Sequence, residues 1–398
     1  MKVCVVGLGY IGFPTALLFA KAGNTVVGVD VNKEIVAGVN SGASHIKEKE
    51  VSALFADPGV KKRVSARETP CEADAFIVAV PTPITGEKKA DLSFVEKATE
   101  SVAKVLRKGN LVVIESTVPP GTCRKVVAPI IEEKNGLRAG RDYFLAHCPE
   151  RAFPGNLLKE LVENDRIIGG INGESGEKAK ELYAGFVRGK IFLTDDVTAE
   201  LCKLSENAFR DVNVAFANEL ANAAEELGVN ALELIELANK HPRVKILKPG
   251  IGVGGHCIAV DPWFIVEAVK DAKLLKTARE INDSMPRKTV EKVRKKLAGI
   301  RDPKIVAVGM SYKPNVADVR ESPALEVVEL LEEAGFEVKK MDPLVKGFEY
   351  SSLWDAARGS DCLLVLVEHD VVAKELSESL DEIKKGMRHP IILRYPFL

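Results

Sequence analysis

The sequence predicts an α/β protein with two doubly wound domains joined by a long central helix, and three observations carry that prediction. Short β-branched runs alternate with helical patterns from the first residues to about 190. One helical pattern, Thr198 to Leu227, is far longer than its neighbours, and strand and helix patterns alternate again after about 290. In the first region the strand candidates are Val3 to Val6, Thr25 to Val29, Ala75 to Val80, Leu111 to Glu115, Tyr143 to Ala146 and Arg166 to Gly169, and their alternation with helices reads as a parallel sheet. The long pattern stops at Gly228, a residue suited to a helix C-cap, and at ~1.5 Å per residue it is roughly 45 Å long. Such a helix exceeds one small domain, so it links domains or packs against a second copy of itself. Its apolar residues Leu204, Ala208, Val212, Ala215 and Phe216 offer the surface for that partner. A further helical pattern ends near Met285-Pro286, after which Lys304 to Val308, Val338 to Met341 and Cys362 to Val367 read as strands and Ala324 to Ala334 as a helix. The expected division is therefore 1–190, 191–290 and 291–398.

Composition removes several classes of function. With 398 residues, 46% hydrophobic and 28% charged, the chain is a globular protein able to bury more than one core, and neither disordered nor collagen-like. Its 56 basic and 57 acidic residues leave a formal net charge of -1, so no global field draws it to nucleic acid or to an anionic membrane, and a small anionic ligand needs a local site. Seven cysteines are scattered with no CxxC pair, which points to reduced thiols and a cytoplasmic protein. The uncharged run Val3 to Ala20 imitates a signal or membrane segment. Its glycines at fixed offsets fit a strand, a turn and a helix better.

The turn in that run is VVGLGYIG, with Gly7, Gly9 and Gly12 in G-x-G-x-x-G spacing. The first glycine makes the tight turn, the second lets backbone approach a pyrophosphate, and the third allows close helix-to-strand packing, the marks of a Rossmann-like dinucleotide site. The next strand ends in Asp30, 18 residues beyond Gly12, where a carboxylate binds a ribose 2'-hydroxyl and repels a 2'-phosphate, favouring NAD over NADP. On the long helix, Lys203 and Asn207 stand four apart on one face, a pair able to stabilise a developing oxyanion. The turn-rich stretch HPRVKILKPGIGVGGHCIAVDPW, His241 to Trp263, is apolar for a linker and reads as a functional loop. In it Cys257 follows two glycines and His256, and an adjacent imidazole or an oriented dipole can lower a thiol pKa to make a nucleophile, with Asp261 four residues on. One His and one Cys fall short of a zinc set. Glu150 closes a strand pattern in HCPERAFPG, at the edge where doubly wound sheets place ligands. In SYKPNVADVRESPA, Lys313 and Arg320 precede a helix opened by Ser322-Pro323, a cationic site suited to a pyrophosphate.

Taken together, VVGLGYIG, VPTP (80 to 83), ESTVPPGT (115 to 122), HCPERAFPG, KLSENAFRDVNVAFANEL, PGIGVGGHCIAVDPWF, AREINDSMP and SYKPNVADVRESPA resemble the UDP-glucose/GDP-mannose dehydrogenase family over nearly the whole chain, in order. HPRV followed by GVGGHCIAVDPWFIV is most similar to the branch that oxidises UDP-N-acetyl-D-mannosamine. The resemblance implies a four-electron oxidation of a nucleotide sugar's C6 alcohol to a carboxylate with two NAD+ and no metal. A thiolate fits this demand, because it traps the aldehyde as a thiohemiacetal from which a second hydride leaves to give a thioester.

By that resemblance Cys257 is the nucleophile, Lys203 and Asn207 hold the negatively charged oxygen, and Asp261 and Glu150 manage water and protons, with Thr117 placing the water. Gly7, Gly9, Tyr10, Ile11, Gly12, Asp30, Thr82, Thr117 and Arg320 are expected at the cofactor. Glu150, Arg151, Lys203, Asn207, Arg210, Arg243, Lys248, Gly250, Gly252, Gly254 and Lys313 are expected on the UDP-sugar. A homodimer or larger homo-oligomer is implied, in which Arg243 reaches the partner's substrate. Met310-Ser311 and the closing HPIILRYPFL depart from the family pattern. Two other functions share parts of this sequence: a silent nucleotide-sugar sensor, and a single-step NAD-linked hydroxyacid dehydrogenase that has no need of Cys257.

Overall fold

The computed structural model describes residues 1–152 and 155–395. Phe153 and Pro154 of the HCPERAFPG run, and the closing Pro396, Phe397 and Leu398, lie outside the described residues. The chain divides into two compact units, Met1–Glu206 with Trp263–Lys270, and Asn207–Pro262 with Asp271–Leu398.

The first unit is built on β1 (Lys2–Val6), β2 (Thr25–Val29), β3 (Val64–Arg67), β4 (Ala75–Val78), β5 (Leu111–Ile114), β6 (Phe144–His147), β7 (Arg166–Gly170) and β8 (Ile191–Asp195). Their spatial order is β3-β2-β1-β4-β5-β6-β7-β8. The order therefore reverses between β1 and β4, the point where a doubly wound sheet opens a crevice for a ligand. Successive side chains serve opposite faces: Val3 and Val5 pack with Phe13 and Leu17, whereas Cys4 and Val6 pack with Val95 and Val102. Helices thus cover both faces. One pair breaks the expected parallel run, because β6 and β7 are antiparallel through Ala146↔Gly170 and His147↔Gly169. Alternation of strand and helix patterns carries no information on direction, so the sequence alone reads this pair as parallel.

The second unit holds a four-stranded parallel sheet in the order β10-β9-β11-β12, from β9 (Lys304–Val308), β10 (Glu337–Met341), β11 (Cys362–Val365) and β12 (Ile391–Arg394). It too is wrapped on both faces, with Ile305 and Ala307 in one apolar cluster and Val306 and Val308 in the other. This is the second doubly wound, Rossmann-like element that the sequence predicts.

The long helix spans Asp196–Glu226, 31 residues, and ends as its sequence requires. Gly228 takes φ +71 and the Val229 amide donates to Ala224 O at 2.8 Å, a left-handed cap that a β-carbon would disfavour. Two sequence expectations need correction. Leu204, Ala208 and Ala215 are not a surface for a partner, since they are buried within the chain; the exposed apolar side chains of this helix include Leu201, Phe209 and Phe216. The stripe at 204, 208 and 215 packs internally, while Phe209 and Phe216, seven apart, form a different one. The second correction concerns Pro286, which does not end a helix: Lys273–Lys296 runs through it. Proline there gives no N–H to the carbonyl of Asn282, a local defect that the surrounding packing tolerates. Among the described residues no helix is long and apolar enough to cross a membrane, and the run Val3 to Ala20 becomes β1, a turn and the helix Gly12–Lys21.

Candidate active site

Two sets of functional side chains are built, one in each unit. In the first unit the turn after β1 is shaped by contact distances. Gly7 has φ +93, and a β-carbon there would lie 2.4 Å from Ala79 O; one on Gly12 would lie 1.9 Å from Gly7 O. A β-carbon on Gly9 would meet nothing within 4 Å. The outer glycines are thus demanded by backbone packing and the middle one leaves open space beside the chain, the cradle a pyrophosphate needs. Asp30 braces this turn, its carboxylate accepting the Leu8 amide at 2.9 Å and the Asn32 amide at 2.9 Å. Each oxygen keeps a second lone pair, so a ribose hydroxyl can still be bound. Tyr10 is exposed and Ile11 half-buried at the start of the following helix, and the Tyr10 hydroxyl donates to Glu48.

Beyond β4 and β5 the loops are stapled together. Ser116 Oγ accepts the Val80 amide at 2.9 Å and donates to Val80 O at 2.7 Å, while Thr82 Oγ1 donates to Thr117 O at 2.7 Å. Thr82 and Thr117 are therefore placed by each other. Glu150 is 10% exposed and its oxygens are engaged: Oε1 accepts the Arg151 and Ala152 amides at 2.6 and 2.7 Å, and Oε2 meets Arg166 Nη2 at 2.8 Å. Arg151 pairs with Glu206 and donates to Asp165 O at 2.6 Å.

Arg166 is the residue that sequence reasoning missed. It is 5% exposed, lies 3.7 Å from Glu115 Oε1 on its other side, and stacks over the rings of Tyr183 and Phe186 at 5.2 and 5.7 Å. Burial pushes the Glu115 carboxyl up to about 7 despite the nearby guanidinium, and the Tyr183 hydroxyl donates to it at 3.2 Å. The signal was available: Glu115 closes the apolar run LVVI and Arg166 opens RIIGG, and charges inside buried strands must find each other. A second buried group joins Cys123, His147 and Glu200, whose ligand-type atoms lie within 4.8 Å of one another. Glu200 accepts the Gly121 and Cys123 amides, so it caps the turn after Pro119-Pro120. Burial raises Glu200 to about 7 and lowers His147 to about 3.

In the second unit Asn207 Nδ2 donates to Asp261 Oδ2 at 2.6 Å, and both residues are buried. The Asp261 amide donates to Cys257 O at 2.9 Å, closing the turn from Cys257 into the helix Asp261–Ala268. Cys257 is the exposed one among the seven cysteines, and it belongs to no close group of three metal-ligating side chains among the described residues. Burial holds the adjacent His256 below its ordinary pKa, with Arg320 adding to the effect. The imidazole is thus a poor source of positive charge for the thiol. The charged group near the thiol is Arg320: its guanidinium is held charged first by Asp318, at 2.9 and 2.6 Å, and Cys257 is among the groups that favour its charged form.

The glycine loop ahead of Cys257 packs on the segment before the helix Pro323–Glu333. A β-carbon on Gly254 would lie 2.3 Å from Glu321 O, and Gly252 holds φ +136 against Pro323. Lys313 sits over the Tyr312 ring at 5.6 Å, and Arg210, Arg243 and Lys248 are exposed. Lys203 is half-buried one helical turn before Asn207.

Comparison with known proteins places this arrangement. The UDP-glucose/GDP-mannose dehydrogenase family matches in all three parts: the NAD binding domain over residues 1–187, the central domain over 197–284 and the UDP binding domain over 306–395. The chain belongs to this family. It is 49% identical to a UDP-N-acetyl-D-mannosamine dehydrogenase of Methanocaldococcus jannaschii, over 98% of this chain and 91% of that one. A Campylobacter jejuni enzyme of the same name is 46% identical, over 92% and 95%. The solved structure of a UDP-D-ManNAc dehydrogenase from Pyrococcus horikoshii superposes with a TM-score of 0.91 at 42% identity, covering 100% of this chain and 97% of that one. The protein is thus an NAD-dependent nucleotide-sugar dehydrogenase, and the open cradle at Gly9 with Asp30 beside it fits that cofactor.

Glu115 yields a prediction in pH. Its folded pKa, about 7, lies above the ordinary carboxyl value of 4.5, so between those values the unfolded chain has released a proton that the folded chain keeps. Raising pH through that window therefore favours unfolding. Chemical denaturation from pH 4.5 to 7 should show Glu115→Gln losing less stability than the wild type, by at most about 3 kcal/mol at the upper end. Parallel stability curves would show that Glu115 does not hold its proton in the fold.

Proposed function

We propose that the enzyme oxidises C6 of UDP-N-acetyl-D-mannosamine to the uronate, with Cys257 as nucleophile. The observation that carries the mechanism is the placement of Cys257: the exposed thiol among seven, on a turn closed by Asp261, with a guanidinium as its charged neighbour. What supports the sugar is that relatives 45 to 49% identical over 98% of the chain bear that activity in their names. UDP-N-acetylglucosamine and UDP-glucose are the alternatives.

NAD, when bound, supplies the acceptor for both hydrides. Gly7, Gly9, Tyr10, Ile11, Gly12, Asp30, Thr82, Thr117 and Arg320 would hold it. The C6 alcohol loses a proton and a hydride, and Lys203 and Asn207 stabilise the oxygen as charge builds. The Cys257 thiolate then adds to the aldehyde carbon, and loss of the second hydride leaves a thioester. Water placed by Thr117, with Glu150 and Asp261 moving protons, releases the carboxylate and returns the thiol. Glu150, Arg151, Arg210, Arg243, Lys248, Gly250, Gly252, Gly254 and Lys313 bind the nucleotide sugar. The segments 1–190, 191–290 and 291–398 serve cofactor, dimerisation with the cysteine loop, and UDP-sugar in turn. The enzyme works in the cytoplasm as a homodimer or larger homo-oligomer, with Arg243 reaching its partner's substrate.

A panel of UDP-sugars read by NADH absorbance tests the reaction. The expected result is two NADH per sugar, highest kcat/KM with UDP-N-acetyl-D-mannosamine, and near-complete loss in Cys257→Ala. One NADH per sugar, or full turnover by that variant, would sink the thioester route. The shared site is tested by mixing inactive Arg243→Ala with inactive Cys257→Ala under subunit exchange. Partial recovery is expected, since one composite site is then intact; no recovery despite demonstrated exchange means the site lies within one chain.

A further inference from the structure

The motif AREINDSMP finds no place in the chemistry above, yet its residues are among the most buried polar groups of the second unit. Arg279 and Asn282 are 1% exposed, and Asp211 and Asn218 on the long helix are fully buried. They form one chain of hydrogen bonds. Arg279 Nη1 donates to Asp211 Oδ1 at 2.6 Å; Asn282 Nδ2 donates to the same oxygen at 2.8 Å and to Asp211 O at 3.0 Å. Asn218 Nδ2 donates to Asn282 Oδ1 at 2.9 Å, and the Gly250 amide donates to Asn218 Oδ1 at 2.8 Å. The relay thus ends on the backbone of the glycine loop. Direction is fixed along it: Asp211 can only accept, which turns the Asn282 amide so that its oxygen faces Asn218, which in turn presents its own oxygen to Gly250.

The same helix shapes the loop a second way. Pro286 leaves the Asn282 carbonyl without a helical N–H, and that carbonyl lies 3.3 Å from where a β-carbon on Gly252 would sit. Ile251, between the two glycines, is buried in the apolar cluster with Val290 and Val293 of that helix. The loop is therefore held at consecutive residues by the helix and by a buried network, while Lys248 stays exposed.

We propose that Asp211, Arg279, Asn282 and Asn218 are positioning residues that set the backbone of the Pro249–Gly254 loop for the nucleotide sugar, acting on substrate affinity and not on the chemical step. This rests on the reading that the loop binds the UDP-sugar. The hydrogen bonds of the relay lead to the Gly250 amide, seven residues before Cys257. A glycine-rich segment has the most backbone freedom to lose on binding, and pre-ordering it by a buried network removes that cost from the binding step.

Asn218→Ala tests this with two readouts, amide hydrogen exchange of the free enzyme and steady-state kinetics, with Lys248→Ala as the probe of the loop itself. The expected result is faster exchange across 250–254 with β9 and β11 unchanged. With it the UDP-sugar KM rises about tenfold, the effect of one lost hydrogen bond, while kcat changes less than twofold and the NAD KM not at all. Should Asn218→Ala not fold, Asn282→Ala is read the same way. Unchanged loop exchange, or a fall in kcat with KM intact, overturns the proposal. A raised KM in Lys248→Ala but not in Asn218→Ala overturns the relay alone. A loosened loop with KM unchanged in both variants overturns the substrate reading of the loop, and the proposal with it.

Discussion

The hydrogen bond from the Asn207 amide to the Asp261 carboxylate, 2.6 Å long and buried at both ends, fastens the cysteine turn to the long helix. Asp261 is buried, and removing Asn207 would take from its carboxylate the amide donor on the long helix, at a cost of about 1–3 kcal/mol. Held there, its own N–H closes on Cys257 O. The thiol is thus displayed at the surface by a turn that is rooted in the interior. Glycine at 254 and 255 lets that turn press on the backbone of Glu321 and the ring of Tyr312, and the same approach brings Arg320 to the thiol's neighbourhood. The exposed position of the Cys257 thiol and the nearness of the Arg320 charge follow from one anchored turn.

Each unit also carries a buried arginine shared between two carboxylates. Arg166 lies between Glu115 and Glu150, and Arg279 between Asp211 and Asp283. Such groups seldom add net stability, because desolvation offsets much of the attraction. Their use here is geometric. Arg166 holds the Glu150 carboxylate while backbone amides take its other oxygen, and Arg279 fixes one end of the relay that reaches Gly250. Both devices orient a polar group from behind.

Much of the fold was legible because apolar β-branched runs and helix stops are local signals. The run TVVGVD ending in Asp30, and Gly228 after the long helix, needed only near neighbours to be read. The strands that escaped, β3, β8 and β12, are four or five residues long, and β3, VSAR, has little apolar character of its own. The antiparallel β6 and β7 pair depends on direction, which no local pattern encodes, and Pro286 reads as a stop because its tolerance comes from packing. At the site, Cys257, Lys203, Asn207 and the glycines were visible by residue type. That Asn207 is engaged with Asp261, and that Arg320 outranks His256 as the thiol's charged neighbour, arises from contacts 54 and 63 residues apart in the chain.

The central claim, that the turn displays Cys257 as the group that carries the sugar through its second oxidation, is tested most directly by covalent trapping. Oxygen esters resist the final hydrolysis more than thioesters, so Cys257→Ser incubated with NAD and UDP-N-acetyl-D-mannosamine should slow at that step. Intact-mass spectrometry followed by peptide mapping should then find a UDP-uronyl adduct on the peptide Gly252 to Trp263, at position 257. Turnover by this variant at the wild-type rate with no adduct, or an adduct carried by any other residue, would contradict the account.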